Sequence, residues 1–408
     1  MTTQADLDNW MTRDFIGYGP TPPNPNWPNG AKIAVQFVLN YVGNSKEEGG
    51  ERSVEDGDAH AEVMLQEFGP VGLMVPVPGE RDQAAETQFE YGSRVTQEHI
   101  PEKTSGSAES RVSLKFRSPL TDLLYSSDSH FSIPITYYAV ARALERNPAV
   151  AKYAEENGHE IASHCFKWMP YAGLTADEEE AYIRKAVLSF QKTSPSGKVP
   201  VGWYYGRPSA RSAALVAKVY REMGFVFAFS VSMSSPWLRA DKFRVLVRHE
   251  LLYWADTYAD GTSVAVAARF SSEVSSHLGG KADVRILSDL PYWSPMPGGE
   301  KKEGLVMMPY TLDNNDFKMW LGQVGSDDAF AQHIIDSFTT IRDEGLEGTP
   351  KYITIALHAR WIGRPGRFQA LKRIVEHVAS FDDVWFATRE QIARHFVKEF
   401  PYEENLKV

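Results

Sequence analysis

The main pattern along the chain is an alternation of short apolar runs with amphipathic stretches of helical period. Residues 31–41, AKIAVQFVLNY, form a near-continuous apolar run rich in β-branched and aromatic side chains, which is typical of a strand buried on both faces of a parallel sheet. Residues 176–191 instead begin with acidic side chains and place their apolar ones on one helical face. Strand patterns that alternate with helix patterns predict βαβ units and therefore the α/β fold class.

Other elements follow from the same patterns. Strands are predicted at 133–140, 160–163, 352–358 and 384–387, and helices at 141–157, 213–224, 330–344, 368–379 and 390–400. The Asn157-Gly158 pair marks the turn before the strand at 160–163, and Thr175 or Asp177 can cap the helix that starts at residue 176.

Two long stretches break this alternation. Residues 95–130 repeat proline, serine and glycine without a helical stripe, and a structureless stretch of this length is unusual inside a compact domain. Residues 230–288 are a second anomaly, because part of this stretch separates the two halves of one motif of the family that the chain resembles, as described below. We therefore predict a single domain over residues 1–408 in which 95–130 and 230–288 are disordered or inserted. Both lineage-specific loops and translated intervening sequence are compatible with this pattern.

The amino-acid composition argues against several classes of binding partner. The chain has 408 residues, of which 43% are hydrophobic and 24% charged, as in ordinary globular proteins with a large core. A net charge of −10 without a Lys/Arg-rich run argues against nucleic acid and anionic membranes as partners. Cys165 is the only cysteine, so neither an intrachain disulfide nor a cysteine metal cluster can form. The first residues lack the features of a signal peptide, and we expect a cytoplasmic protein.

Two histidines stand where predicted strands end. His164 follows the strand at 160–163, and His358 is the last residue of the strand at 352–358. In α/β folds the carboxyl ends of strands form the floor of the active site. An imidazole there can give and take protons, because its unperturbed pKa is about 6.5. The alternative for His164 is a half-buried histidine with a purely structural hydrogen bond.

The sequence around His164 carries a family resemblance. GHEIASH resembles the second motif of the polysaccharide deacetylase (NodB-homology) superfamily, in which a second histidine follows four residues later and both bind a divalent metal. Trp168 stands at that place here, and an indole cannot ligate a metal because its only polar group is an N–H donor. The form ASHxxxW, with Tyr171 shortly after, is similar to the branch of PuuE-type allantoinases and cyclic imidases. That branch hydrolyses small cyclic ureides or imides.

Other stretches resemble further motifs of the same family. LHARWIGRPGR at 357–367 resembles the fifth motif, whose histidine is the general acid, and GWYYGR at 202–207 resembles the third, whose arginine orients the acid/base. Asn40-Tyr41 stands where the deacetylases have an Asp-Asp pair, and residues 42–46 interrupt the NYEEGGE wording of the allantoinase branch. The fourth motif is split between 255–260 and 289–293.

The resemblance implies a fold, a reaction and a set of residues. The fold is a distorted parallel (β/α)7-type barrel with irregular insertions. The reaction is hydrolysis of a non-peptide C–N bond in a small cyclic ureide or imide. His164 and a carboxylate of Glu47 or Glu48 are candidate bases, His358 is the candidate acid, and Arg207 is the orienting residue. The candidate substrate-binding residues are Trp168, Tyr171, Trp203, Asn315, Asp316, Arg360 and Arg364.

Several of these residues have a structural alternative. Glu47 and Glu48 beside two glycines are also typical of a solvated turn, and Arg207 could cap the following helix. Asn315 and Asp316 are common turn formers after a strand, and Arg364 could cap a loop.

The motifs also predict partners and cofactors. Because Trp168 replaces a ligand, we predict catalysis without a bound transition metal, acting on a small molecule and not on nucleic acid or membrane. The branch generally forms homo-oligomers, and we expect the same here. The alternatives are a metal-dependent N-deacetylase of chitin, peptidoglycan or acetylated sugars that uses zinc or another divalent metal, and a catalytically silent member that only binds a ligand or partner.

Overall fold

The structure is a computed structural model, in which seven ranges of the chain are described. These are residue 18 and residues 22–42, 133–224, 251–256, 290–297, 303–317 and 325–402. The predictions for 95–130, Glu47 and Glu48 lie outside the described residues.

The described strands belong to one sheet of nine strands. The strands are β1 (Ile33–Tyr41), β2 (Ile135–Ala139), β3 (Glu160–Ser163), β4 (Gly202–Trp203), β5 (Tyr253–Trp254), β6 (Tyr292–Pro295), β7 (Gly304–Met307), β8 (Lys351–His358) and β9 (Val384–Phe386). Their order is β6-β7-β5-β4-β3-β2-β1-β8, with β9 against β1. Neighbouring strands are parallel except β6 and β7, which form an antiparallel pair.

Helices connect most of the parallel strands. They are α1 (Ala141–Arg146), α2 (Pro148–Glu156), α3 (Ala176–Thr193), α4 (Ser212–Glu222), α5 (Asp327–Leu346), α6 (Ala359–Ile362), α7 (Pro365–Val378) and α8 (Arg389–Glu399). The single helix predicted over 141–157 is instead two, because Pro148 lacks the N–H that a continuous helix needs and starts α2. Thr175 caps α3 through a capping box with Glu178.

The sheet curls back on itself beyond β7. Asn315 forms a parallel bridge with Ala356 of β8, and the backbone N–H of Asp316 donates to the Ala356 carbonyl at 2.9 Å. The segment after β7 therefore runs along the free edge of β8. The predicted α/β fold, a distorted barrel of mainly parallel strands, is confirmed.

Alternate side chains along the strands enter two apolar clusters. Ile33, Val35 and Phe37 of β1 join a cluster that also contains the inner faces of the connecting helices. Ala34 and Val38 face the barrel interior, where aromatic side chains and the apolar face of α8 complete the second cluster. Burial on both faces explains why β1 is an almost unbroken apolar run.

A buried arginine fills part of the barrel interior. Arg389, the first residue of α8, is fully buried. Its guanidinium donates to Gln36 Oε1 at 3.0 Å, to Thr354 Oγ1 at 3.2 Å and to the Pro309 carbonyl at 3.0 Å. These contacts fix the start of α8 against strands β1 and β8.

A buried carboxyl group lies in the same interior. Glu160 of β3 accepts hydrogen bonds from the hydroxyl groups of Thr136 at 2.8 Å and Tyr253 at 2.7 Å. It also accepts the backbone N–H of Glu390 at 2.9 Å, which caps α8. Burial raises the pKa of Glu160 to about 7, and the negative charge of Glu390 adds to this effect. The hydrogen bonds that Glu160 accepts oppose the shift. No sequence pattern predicted a role for Glu160 or Arg389.

One described segment lies inside a stretch that was predicted to be an insertion. Residues 251–256 fall within the predicted insertion at 230–288, yet they contain β5, which pairs with β4 and β7 inside the sheet. In the parts of the chain that the structure describes, no helix is long and apolar enough to cross a membrane.

Candidate active site

His164 lies directly after β3 and is almost completely buried, with 2% of its surface exposed. Its backbone N–H donates to the Ala139 carbonyl at 2.8 Å, which continues the β2–β3 pairing. Ring atom Nδ1 lies 2.8 Å from the carbonyl oxygen of Tyr204. Since a carbonyl can only accept, Nδ1 carries the proton of a neutral His164 ring, and Nε2 is then the basic nitrogen.

A group of stacked aromatic rings surrounds His164. The Tyr204 ring stacks on His164 with centroids 5.0 Å apart, on Tyr310 at 5.2 Å and on Tyr138 at 4.6 Å. These three tyrosines face the barrel interior from the ends of β4, β7 and β2. The stack restrains the imidazole and limits its access to water.

Trp168 and Arg207 pack against each other next to His164. The guanidinium carbon of Arg207 lies 4.2 Å from the centroid of a Trp168 ring, a cation–π distance. The Trp168 ring lies edge-on to His164 with centroids 6.4 Å apart. Gly206 has a φ of 74°, a conformation that favours glycine, and a Cβ there would lie 3.4 Å from His164 Cε1. The structure thus brings together the predicted residues His164, Trp168 and Arg207.

Asp256 holds the loop that carries Arg207. Its carboxylate accepts the backbone N–H groups of Tyr205 at 2.7 Å and Gly206 at 2.6 Å. Burial raises the pKa of Asp256 to about 7, against the lowering effect of those two hydrogen bonds. No role for Asp256 was predicted from the sequence. The available signal was an acidic residue just after a strand, within the split fourth motif.

His358 is paired with a fully buried carboxylate. Its Nδ1 lies 2.7 Å from Asp316 Oδ1, and its backbone N–H donates to Asp316 Oδ2 at 2.8 Å. His358 itself is 4% exposed. A buried carboxylate that contacts Nδ1 fixes the imidazole and stabilises its protonated form.

The two histidines lie at the same end of the barrel. His358 is in register with Asn40 of β1, and Asn40 is in register with Tyr138 of β2. The neighbouring β2–β3 pair joins Ala139 to Ser163, the residue before His164. Strands β1 and β2, which carry Asn40 and Tyr138, therefore lie between the two histidines. The predicted base His164 and the predicted acid His358 are both at this end of the barrel.

Four of the predicted substrate-binding residues have other environments. Trp203 is completely buried against the helices, where its Nε1 donates to the Tyr220 hydroxyl. Tyr171 is also buried, and its hydroxyl donates to the Lys167 carbonyl. Asn315 is buried and its amide donates to the Tyr310 hydroxyl, while its Oδ1 accepts the Phe317 N–H. Asp316 is used by His358. The polar groups of these four residues are engaged inside the protein, and their direct contact with substrate stays a prediction.

The remaining predicted residues are located only in part. Arg364 is half-buried at the start of α7, and Arg360 belongs to α6, where its side chain is not among those described. Glu47 and Glu48 lie outside the described residues, so their role as bases stays a prediction.

A divalent metal needs several strong donor side chains close together. In the described part of the chain, no three His, Cys, Asp or Glu side chains form a group that could hold a metal ion. Trp168 stands where a second histidine is needed, and Asn40 stands where the deacetylase motif has its carboxylates. Neither an indole nor a neutral amide supplies the strong donors of a zinc site. The described residues therefore do not fit such a site.

A barrel with two buried histidines at its carboxyl end, one paired with a carboxylate, is the arrangement expected of a hydrolase that uses acid/base catalysis. The family model described as polysaccharide deacetylase matches residues 120–228. A Schizosaccharomyces pombe protein named as a polysaccharide deacetylase is 34% identical over 97% of this chain and 99% of its own length. The chain therefore belongs to the polysaccharide deacetylase family.

Two solved structures are similar over almost the whole chain. The PuuE allantoinase is 30% identical with a TM-score of 0.62, covering 96% of this chain and 99% of its own. A Pseudomonas aeruginosa PAO1 protein described as a probable polysaccharide deacetylase is also 30% identical, with a TM-score of 0.61, and the match covers 96% of this chain and 99% of that protein. The predicted family and enzyme class are confirmed: the protein is a hydrolase acting on carbon–nitrogen bonds other than peptide bonds.

Proposed function

We propose that this hydrolase opens the ring of a small cyclic ureide or imide by adding water to one C–N bond. The observation that carries the proposal is the pair of buried histidines with unlike partners, a neutral carbonyl for His164 and a carboxylate for His358. Similarity to the PuuE allantoinase supports the substrate class.

The burial of both imidazoles favours a small substrate. His164 and His358 are 2% and 4% exposed, respectively. A polymer has to lie in an open groove with the reactive groups accessible, whereas a small ring can enter a closed interior. This feature favours ring opening over deacetylation of a polysaccharide.

The unlike partners assign the two roles. Nε2 of a neutral His164 is the acceptor that a general base needs, because Nδ1 is turned to the Tyr204 carbonyl. The carboxylate of Asp316 compensates a positive charge on His358, so His358 is the imidazole that can carry the proton needed by the leaving nitrogen. Arg207, held on Trp168, is suited to orienting the carbonyl groups of the ring.

The reaction is balanced with these groups alone. A water oxygen bonds to a ring carbonyl carbon while Nε2 of His164 takes one of its protons. The C–N bond then breaks, and His358 gives its proton to the leaving nitrogen. The product has gained one water as a new carboxyl group and a released N–H group. Transfer of one proton from His164 to His358 through solvent restores both rings.

A comparison of three substrates tests the proposal. Purified full-length protein is assayed with allantoin, succinimide and an acetylated chitooligomer. We expect turnover of a cyclic compound, its loss in His358→Ala, and its retention in His333→Ala, which removes a histidine of α5. Acetate release from the chitooligomer without ring opening would instead select the deacetylase alternative. Absence of turnover with all three would select the catalytically silent alternative.

A further inference from the structure

Tyr138 occupies a central position beside the two histidines. It lies on β2 in register with Asn40, the neighbour of His358 on β1. Its ring centroid lies 6.2 Å from the His164 ring and 4.6 Å from the Tyr204 ring. The side chain is completely buried and faces the barrel interior. No sequence motif pointed to this residue.

The hydroxyl of Tyr138 differs from those of Tyr310 and Tyr253, which are also buried in the interior. Tyr310 accepts from Asn315, and Tyr253 donates to Glu160. The Tyr138 hydroxyl has no hydrogen-bond partner among the described residues. Burying a hydroxyl without a partner is unfavourable, so a phenylalanine would satisfy the fold better at this position. A polar group kept at such a cost is a candidate for contact with a ligand.

The surroundings keep this hydroxyl a hydrogen-bond donor. Burial raises the pKa of Tyr138 well above its usual value, so the phenol keeps its proton at neutral pH. The guanidinium of Arg389 lies 5.7 Å from the centroid of the ring and opposes that shift. A nearby positive charge also makes the hydroxyl a stronger donor towards an anion.

On the basis of the proposed function, we propose that the Tyr138 hydroxyl donates a hydrogen bond to the ring carbonyl oxygen under attack. That oxygen becomes negative when water adds, and a fixed donor in a dry interior stabilises the charge. Tyr138 keeps its proton throughout, so the balance of the reaction is unchanged. Tyr138 would thereby be a catalytic residue for cyclic ureides and imides.

The test separates catalysis from folding with two matched variants. Tyr138→Phe should lower kcat by about 10²–10³-fold, as the loss of an oxyanion donor does. Its Tm should be unchanged or higher, because no protein partner is lost. The control is Tyr220→Phe, whose hydroxyl donates to the Pro200 carbonyl at 2.5 Å and accepts from Trp203 at 2.8 Å, away from the interior. This control should lower Tm and leave kcat unchanged.

Each other outcome overturns the inference. An unchanged kcat in Tyr138→Phe would exclude a catalytic contact, and a Tm lowered as in Tyr220→Phe would indicate a structural role. Wild-type protein that opens neither allantoin nor succinimide contradicts the proposed function itself. The inference is then decided by succinimide binding: the ligand must raise the Tm of wild type and not of Tyr138→Phe, and any other result overturns it.

Discussion

The contact between His358 and Asp316 allows the contribution of one buried charge to be measured. Asp316→Asn keeps the shape of the side chain and removes its negative charge. The His358 ring would then face an amide 2.7 Å from Nδ1 in place of a carboxylate. Since Asp316 is completely buried, solvent cannot replace the lost charge.

The expected size of the effect follows from this geometry. A hydrogen bond to a charged group contributes about 1.5–3 kcal/mol. Less imidazolium is available as the acid once that bond is lost, so activity on the alkaline side should fall at a lower pH. The same free energy lowers kcat by about 10–100-fold, and an imidazole turned to the wrong tautomer raises the loss towards about 10⁴-fold.

The assay is a pH profile of kcat and kcat/KM for ring opening. Asp328→Asn is the matched control, because Asp328 is a surface residue whose side chain is 86% exposed and pairs with Arg373. The control should leave both the rate and the profile unchanged. An Asp316→Asn variant with normal kcat and an unshifted alkaline limb would refute the role of His358 as the acid.

Three further outcomes are expected. Activity should survive dialysis against a strong chelator, because the described donors do not fit a metal; a loss that zinc restores would contradict this. Glu160 has a pKa of about 7 when folded against an ordinary 4.5, so the folded state binds the extra proton between these values and its stability falls as pH rises through that window. Between about pH 4 and about pH 8, the free energy of unfolding of wild type, measured by urea denaturation, should fall by on the order of 3 kcal/mol relative to that of Glu160→Gln. If the two free energies change with pH in parallel, the raised pKa of Glu160 is refuted. Thr388→Ala breaks the capping box at α8 and should cost about 1 kcal/mol in the same assay, more than Thr175→Ala at the exposed cap of α3.

The elements that sequence patterns predicted best are those with a repeating signal. β1 and β8 are long enough for a continuous or alternating apolar run, and α3 carries both an apolar face and a capping box. β4 and β5 have two residues each, which is too short for a period. Their place in the sheet depends on neighbouring strands, and this is why residues 251–256 were assigned to an insertion.

The sequence identifies candidate site residues where a reactive side chain stands at the end of a predicted strand. His164 follows one such strand and His358 ends another, so their location at the same end of the barrel could be inferred from the fold. The packing of Trp203 could not be predicted, because the direction of a side chain in a two-residue strand is not visible in sequence: its neighbour Tyr204 faces the interior and Trp203 the helices. The partnership of Asp316 with His358 joins residues 42 positions apart and depends on the bridge to β8.

The interior position of Arg389 has a consequence for synthesis of the protein in a cell. Its hydrogen-bond partner Gln36 precedes it by 353 positions, and α8 follows all nine strands that the structure describes. At about 5–20 residues per second, roughly 20–70 seconds separate the translation of these two residues. For most of that interval β1 lacks its partner strands β8 and β9, and Glu160 lacks the helix end that it caps. Nascent chains should therefore need protection by chaperones until α8 emerges, and slow translation of the last strands would favour aggregation over folding.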